Sequence, residues 1–407
     1  MNFNLKAIVL LLITTSLCFG YSKNDVPEGW ASLNGGTTGG KGGTEVTVSN
    51  MSELQKAASS SGKKIILVKK GTYKGTLTIK SDKSILGIEP GAGVDGKVIV
   101  NGQKNVIVRN IAIFDSKKCT GGCKSKGDAV NISRSTNIWF DHCDVYDGPD
   151  GNFDIVHGSD FITVTWCKFW YTWKKEHRFS NLIVGSDNEP TSEGKLRITY
   201  AFGWWGPLCN QRQPRGRYGK VHVVNNLYTS QDMSYACGPG HKMQMLIEKN
   251  VFNCNGSPVK TQGKGPYAWK TVGNIGSKKP GDKTVGTVFT PPYKLSEEMD
   301  ASQVESKVKA SAGNTLRLGK TNIKNRNSIA ITKKQTPFLE TSSNGWVLKN
   351  PNSRSYFLSV VTLDGKTILP VTHMAGKESI EIPNSPSALV VKFMDKSTAE
   401  LHIPVSR

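Results

Sequence analysis

The chain is short of acid and almost free of long apolar runs. Against 53 Lys and Arg stand 32 Asp and Glu, a net charge of +21 over 407 residues. That balance draws polyanions: nucleic acid, an anionic membrane or an acidic polysaccharide. The main apolar stretch is Ala7 to Ile13, within "MNFNLKAIVLLLITTSLCFG". It falls below the ~18 residues a membrane span needs. Lys6 precedes it and small residues around Cys18 and Gly20 follow, so residues 1–20 read as a secretory signal peptide. An N-terminal membrane anchor is the rival. No other segment is long and apolar enough to cross a bilayer, so no membrane partner is expected. Export makes nucleic acid a poor partner and an acidic polysaccharide a good one. The expectation is a secreted, extracellular, monomeric protein.

Paired zinc-ligand spacings are also missing. Without Cys18, seven cysteines remain: Cys119, Cys123, Cys143, Cys167, Cys209, Cys237 and Cys254. An odd number leaves at least one thiol unpaired. Cys119 and Cys123 are spaced for a local bridge, and no second Cys or His pair stands where zinc would need it.

What is plentiful is glycine, 42 residues, and β-branched runs that recur. "NVIVRNIAIFD" begins at Asn105, "NIWFDHCDVYD" at Asn137, "FITVTWCKFWY" at Phe161, "KLRITYAFGWW" at Lys195, "KVHVVNNLY" at Lys220 and "QMLIEKNVF" at Gln244. The successive offsets are 32, 24, 34, 25 and 24. A β-rich unit recurring at this interval is a solenoid signature. Leucine-rich repeats share the period but their leucine pattern is absent. Period-2 alternation excludes helical repeats. The fold class is therefore all-β, a parallel β-helix, in which residues one coil apart stack. Cys143 and Cys167 would stack so, as two buried thiols in preference to a disulfide.

A solenoid needs its ends covered. "SNMSELQKAASSSG" predicts an N-terminal capping helix, with Ser52 and Gln55 as the capping box and Gly62 as the stop. The catalytic solenoid is expected over 21–295. Residues 296–335 are polar and rich in Lys and Ser, and read as a linker or wrapping tail. Over 336–407 short alternating runs return and predict a small β-sandwich-like domain.

Asp128 in "KGDAVNI", and Asp150 and Asp154 in "DGPDGNFDIVHG", fall one coil apart. Carboxylates gathered on one face repel unless a cation joins them, and calcium prefers such oxygen ligands. Turn chemistry beside glycine is the plainer explanation of the same residues. Lys174 lies at a coil end in "WYTWKKEHRFSN". "CNQRQPRGRYGK" then places Arg212, Arg215, Arg217 and Lys220 within nine positions. A cation held by carboxylates, beside a Lys and two Arg, suits a polymer of uronic acids. Such groups stabilise the anion formed when a proton leaves the carbon beside a carboxylate. Asp150 and Asp154 also keep a hydrolase in view, and a non-catalytic polysaccharide binder would carry similar charge.

"GDAVNI", "NIWFDHCDVYD", "GNFDIVHGSDFITVTW" and "NQRQPRGRYGKVHVVNNLY" together resemble the pectate lyase family, polysaccharide lyase family 1. The resemblance runs over about residues 28 to 275. It implies a right-handed parallel β-helix that cleaves polygalacturonate by β-elimination with Ca2+. It implies Asp128, Asp150 and Asp154 as calcium ligands, Lys174 as the grip on the substrate carboxylate, Arg212 as the proton-abstracting residue and Arg217 as its support. Lys175 is the alternative to Lys174. An arginine base is unusual, since a guanidinium is ordinarily a fixed cation. Some members carry an Asp two residues before Asp128, where this chain has Lys126. The acids favour unesterified pectate over the methylated substrate of pectin lyases. Asp141 and His142 in "WFDHC" read as a structural stack of the fold, not as a catalytic dyad.

Overall fold

Branched apolar residues at alternate positions favour a pleated surface buried on one side. Here that surface is repeated coil after coil. Val108, Phe140, Val164, Tyr200, Val223 and Ile247 lie beside one another across consecutive parallel strands, and all are buried. The computed structural model describes residues 20–319 and, beyond them, 338–342, 345–349, 356–362, 367–375, 377–383 and 389–394. The chain divides into two units, Met1–Thr321 and Asn322–Arg407. Of the signal peptide expected over 1–20, only Gly20 lies within the described residues.

The first unit is a right-handed parallel β-helix. One sheet has eleven strands, from Thr44–Val48 to Lys283–Val285, and only the last pairing is antiparallel. A second ladder climbs through Ala112–Phe114, Asp144–Tyr146, Lys168–Trp170, Trp204–Trp205, Leu227–Tyr228 and Val251–Phe252. A third climbs through Val130–Ser133, Gly151–Val156, Phe179–Ile183, Arg215–Gly216 and Tyr235–Pro239. The long strand Ala92–Asn101 pairs into both. Inside, Phe169, Trp205, Tyr228 and Phe252 stack with centroids 5.3, 4.9 and 4.5 Å apart. Asn226, Asn250 and Asn274 stack as well, each amide donating to the next at 3.0 and 2.9 Å. Cys143 and Cys167 are free buried thiols, and Cys119 is bonded to Cys123.

The capping helix α1 (Met51–Ser59) buries Leu54, Ala57 and Ala58. Its cap lies two residues before the predicted box: Asn50 Oδ1 accepts from the Glu53 amide at 3.0 Å. Glu53 reaches back to the Ser49 amide at 2.9 Å. Gln55 instead holds the Thr78 backbone.

The polar stretch from 296 contains a helix that the sequence pattern did not suggest, α2 (Ala301–Ser311). Its seat is one corner of the solenoid. Asn110, His142, Trp166 and Phe202 turn that corner with single left-handed residues. The His142, Trp166 and Phe202 rings stack at 5.7 and 4.8 Å. Val304 and Val308 of α2, with Leu295 and Met299, bury against Trp166, Phe202, Val224 and Leu227. The path ends where Arg317–Leu318 pairs in parallel with Gly20–Tyr21. Among the described residues the second unit has two three-stranded antiparallel sheets. Among the described residues no helix is long and apolar enough to cross a membrane.

Asp141 belongs to this framework. Its carboxylate accepts from Arg109 Nε at 2.6 Å, from Thr165 Oγ1 at 2.7 Å and lies 2.7 Å from His142 Nδ1. Burial pushes the carboxyl up, but His142, Arg109 and Thr165 more than offset it and hold it at about 2. Because the folded value lies below the ordinary 3.8, this stabilisation is complete above that pH and is lost as pH falls through about 2. Asp141→Ala leaves the Arg109 guanidinium without its most buried partner. It is expected to cost about 3–5 kcal/mol, read as a lower denaturant midpoint at neutral pH. A loss below about 1 kcal/mol would show that Arg109 does not depend on the pair.

Candidate functional site

The third ladder carries the acids. Asp154 lies in register with Asn131 on one side and Leu182 on the other, and Leu182 with Arg215. Parallel pairing thus places residues far apart in sequence along one wall. Asp128, from the turn before Val130–Ser133, meets Asp154 over Gly151. A Cβ on Gly151 would lie 2.8 Å from Asp128 Oδ1 and 3.8 Å from Asp154 Oδ1. Glycine is needed there for the two half-buried carboxyl groups to converge.

Their proximity shows in their acidity. Burial, then the charge of Asp150, pushes the Asp128 carboxyl up to about 6, against the pull of Asp154, Arg212 and Lys97. Burial, then the charge of Asp128, raises Asp154 well above the carboxylate range, with Arg212 opposing. Asp150, close enough for its charge to raise both, has His177 Nδ1 2.8 Å from its Oδ1. Among the described residues no three acidic, histidine or cysteine groups stand ready around one point for a metal. Two converging carboxyls that hold their protons more tightly than usual, with hard oxygen donors, nonetheless fit a divalent cation such as calcium, which would relieve their repulsion.

Of the two candidate lysines, Lys175 faces the acids. Its Nζ donates to the carbonyls of Pro149, at 2.8 Å, and Gly148. Burial brings its ammonium down to about 8, against the opposite pull of Asp147 and Asp150. Lys174 is 72% exposed at its side chain and lies 3.6 Å from Asp232.

Arg212 completes the cluster. Its guanidinium carbon sits 4.2 Å over the Phe179 ring. Its Nε is buried and makes no hydrogen bond among the described residues. The backbone there is left-handed, φ 64°, and the Arg212 carbonyl accepts from the Asn181 amide at 2.6 Å. Arg217 is pinned instead: it donates to the Val184 carbonyl at 2.9 Å and pairs with Asp187. Arg215, on the same wall as Asp154, also has a buried, unpartnered Nε. Burial, then the neighbouring Arg217 and Arg212, lowers its guanidinium, with Tyr235 opposing.

His177 and Arg215 are the site residues that spacing did not single out. Arg215 was visible in the basic run, but only strand register shows that it shares a ladder with Asp154. No sequence signal joins His177 to Asp150; the contact depends on the loop after Trp173. Trp205 is fully buried in the aromatic stack, and Trp204 is half-buried with Lys168 over its ring.

Gly151→Ala is expected to drive the Asp128 carboxylate away from Asp154 and to weaken divalent-cation binding about tenfold or more, measured by calorimetry. Unchanged affinity would mean that the pair does not hold the cation.

The pectate lyase family model matches residues 4–316. A pectate trisaccharide-lyase of Thermotoga maritima is 38% identical over 239 residues, 55% of this chain and 63% of that protein. The match thus spans less than two thirds of that relative. Pectate lyase A of Aspergillus niger is 35% identical over 305 residues, 72% of this chain and 89% of that protein. Among solved structures, a pectate lyase of a Bacillus species in complex with trigalacturonate superposes with a TM-score of 0.60 at 26% identity, covering 71% of this chain and 99% of that one. A Bacillus subtilis pectate lyase variant gives 0.62 at 22% identity over 73% and 99%, a likeness of fold.

Proposed function

The chain belongs to the pectate lyase family, and on that footing we propose that it is a secreted, calcium-dependent lyase that cuts polygalacturonate to 4,5-unsaturated oligogalacturonides. The observation that carries the reading is the placement of Arg212 beside the converging carboxyls of Asp128 and Asp154. The trigalacturonate complex of the Bacillus relative supports the substrate class. The secretory reading of residues 1–20 supports the location.

In this reading Asp128 and Asp154, with the nearby Asp150, are the residues that would hold calcium. Bound there, calcium supplies positive charge that withdraws electrons from the substrate carboxylate. Lys175 and Arg215 offer the uronate further cationic partners. Arg212 lies over the Phe179 ring with a buried, unpartnered Nε, which leaves it a donor for the sugar. In its neutral guanidine form Arg212 takes the C5 proton and becomes guanidinium, the C5–H electron pair becomes the C4–C5 double bond, and the C4–oxygen bond breaks. The departing oxygen takes a proton from solvent. Arg217 positions this region through Val184 and Asp187 and does not itself meet the substrate. Lys174 lies outside the contact, paired with Asp232.

On polygalacturonate, the purified protein is expected to raise the ultraviolet absorbance of unsaturated uronate, and a chelator to abolish the rise. Arg212→Ala is expected to cut kcat about a thousandfold or more while calcium binding is retained. No absorbance rise in wild type, or saturated products, would sink the lyase reading. A rise indifferent to chelator would remove calcium from the reaction.

A further inference from the structure

The segment "KKCTGGCKSK", residues 117–126, holds four lysines and no acid, and plays no part in the cluster described above. The Cys119–Cys123 disulfide closes it into a small ring. Under that ring lies a cavity of about 330 Å³, roofed by residues 119–124 and floored by Trp173 and residues 175–177. Its size falls in the ~300–1,000 Å³ range of ligand pockets.

The cavity adjoins the acids. His177, in its wall, touches Asp150, and Lys175, also in its wall, holds the carbonyls of Gly148 and Pro149. Its chemistry differs from theirs. Trp173 is half-buried and offers an aromatic surface, with Lys118 Nζ 5.9 Å from the ring centroid. Lys124 and Lys175 line the same space. Glu176 is the one carboxylate among the lining residues, and it is exposed. An aromatic surface with several ammonium groups suits an anionic sugar: the apolar side of the ring lies on the indole, and the carboxylate meets the lysines.

We propose that this cavity is a further uronate subsite, in which Trp173 receives the sugar ring and Lys124 receives its carboxylate, with Lys118 adding positive charge beside the indole. The proposal rests on the pectate lyase reading and extends it: the subsite engages only chains long enough to reach past the acids, so it sets the preferred substrate length. The disulfide ring acts as its fixed roof.

The test compares hexagalacturonate with trigalacturonate, both as substrates and, by calorimetry, as ligands. Trp173→Ala is expected to lower kcat/KM for the hexamer about five- to tenfold and to leave the trimer unchanged. Lys124→Gln, an exposed change that spares the fold, is expected to weaken hexamer binding in the same selective way, and to lose that effect on a methyl-esterified hexamer. Equal losses on both lengths, or no loss on the hexamer, would overturn the subsite. The binding arm is independent of turnover. If wild type failed to cleave either oligomer, the lyase reading would fall, while a hexamer preference that Trp173→Ala erased would still establish the subsite.

Discussion

Two carboxyl groups that would separate in water are kept together here by strands that cannot slip. Asp154 is fixed by pairing on both sides, to Asn131 and to Leu182. A shift of one residue would turn its side chain inward and expose the core. A side chain at Gly151 would stand against both Asp128 and Asp154, and glycine removes it. The repulsion that results is stored in a rigid wall, and positive charge is what relieves it. Within the protein Arg212 and Lys97 do part of this. The placement of the cationic groups around the acids follows from that one electrostatic demand.

The coil architecture was legible because its physics is periodic. Runs such as "NVIVRNIAIFD" and "NIWFDHCDVYD" recur with alternating apolar residues, and these positions became neighbours in the ladders. The acids and Arg212 were legible because chemistry needs those residue types near one another. Much else was hidden. α2 was missed because its sequence is mostly polar, with only a narrow apolar stripe at Ala301, Val304 and Val308. The cap of α1 was misplaced because two competing pairs, Asn50 with Glu53 and Ser52 with Gln55, sit two residues apart. Lys174 and Lys175 are adjacent and chemically alike, so only loop geometry tells which one faces Pro149. His177 meets Asp150 across a loop whose course no periodicity dictates.

Charged side chains are treated differently on the two sides of the solenoid. On the eleven-stranded sheet Asp141 is held by Arg109 and Thr165, and His222 meets Glu248 at 2.7 Å, while Tyr200 Oη and Trp269 Nε1 are buried without a hydrogen bond. On the wall with the acids the Nε atoms of two arginines, Arg212 and Arg215, are buried and unpartnered. A buried ion pair rigidifies its surroundings, and a buried donor left unpaired is available to a ligand. The corner packed by α2 and the strap from Gly29 to Gly43, whose Trp30 and Ala31 amides donate to Thr199 and Thr163, brace the scaffold away from that wall.

The strand at Gly20–Tyr21 has its neighbour at Arg317–Leu318, almost three hundred positions later. A ribosome delivers the first partner long before the second. Through most of synthesis the groove that Leu318 fills beside Ile88 and Tyr21 stays vacant. The closing seam therefore forms last, after every coil has emerged. A polypeptide truncated ahead of that point would carry a nearly complete solenoid whose first strand, at Tyr21, lacks its partner.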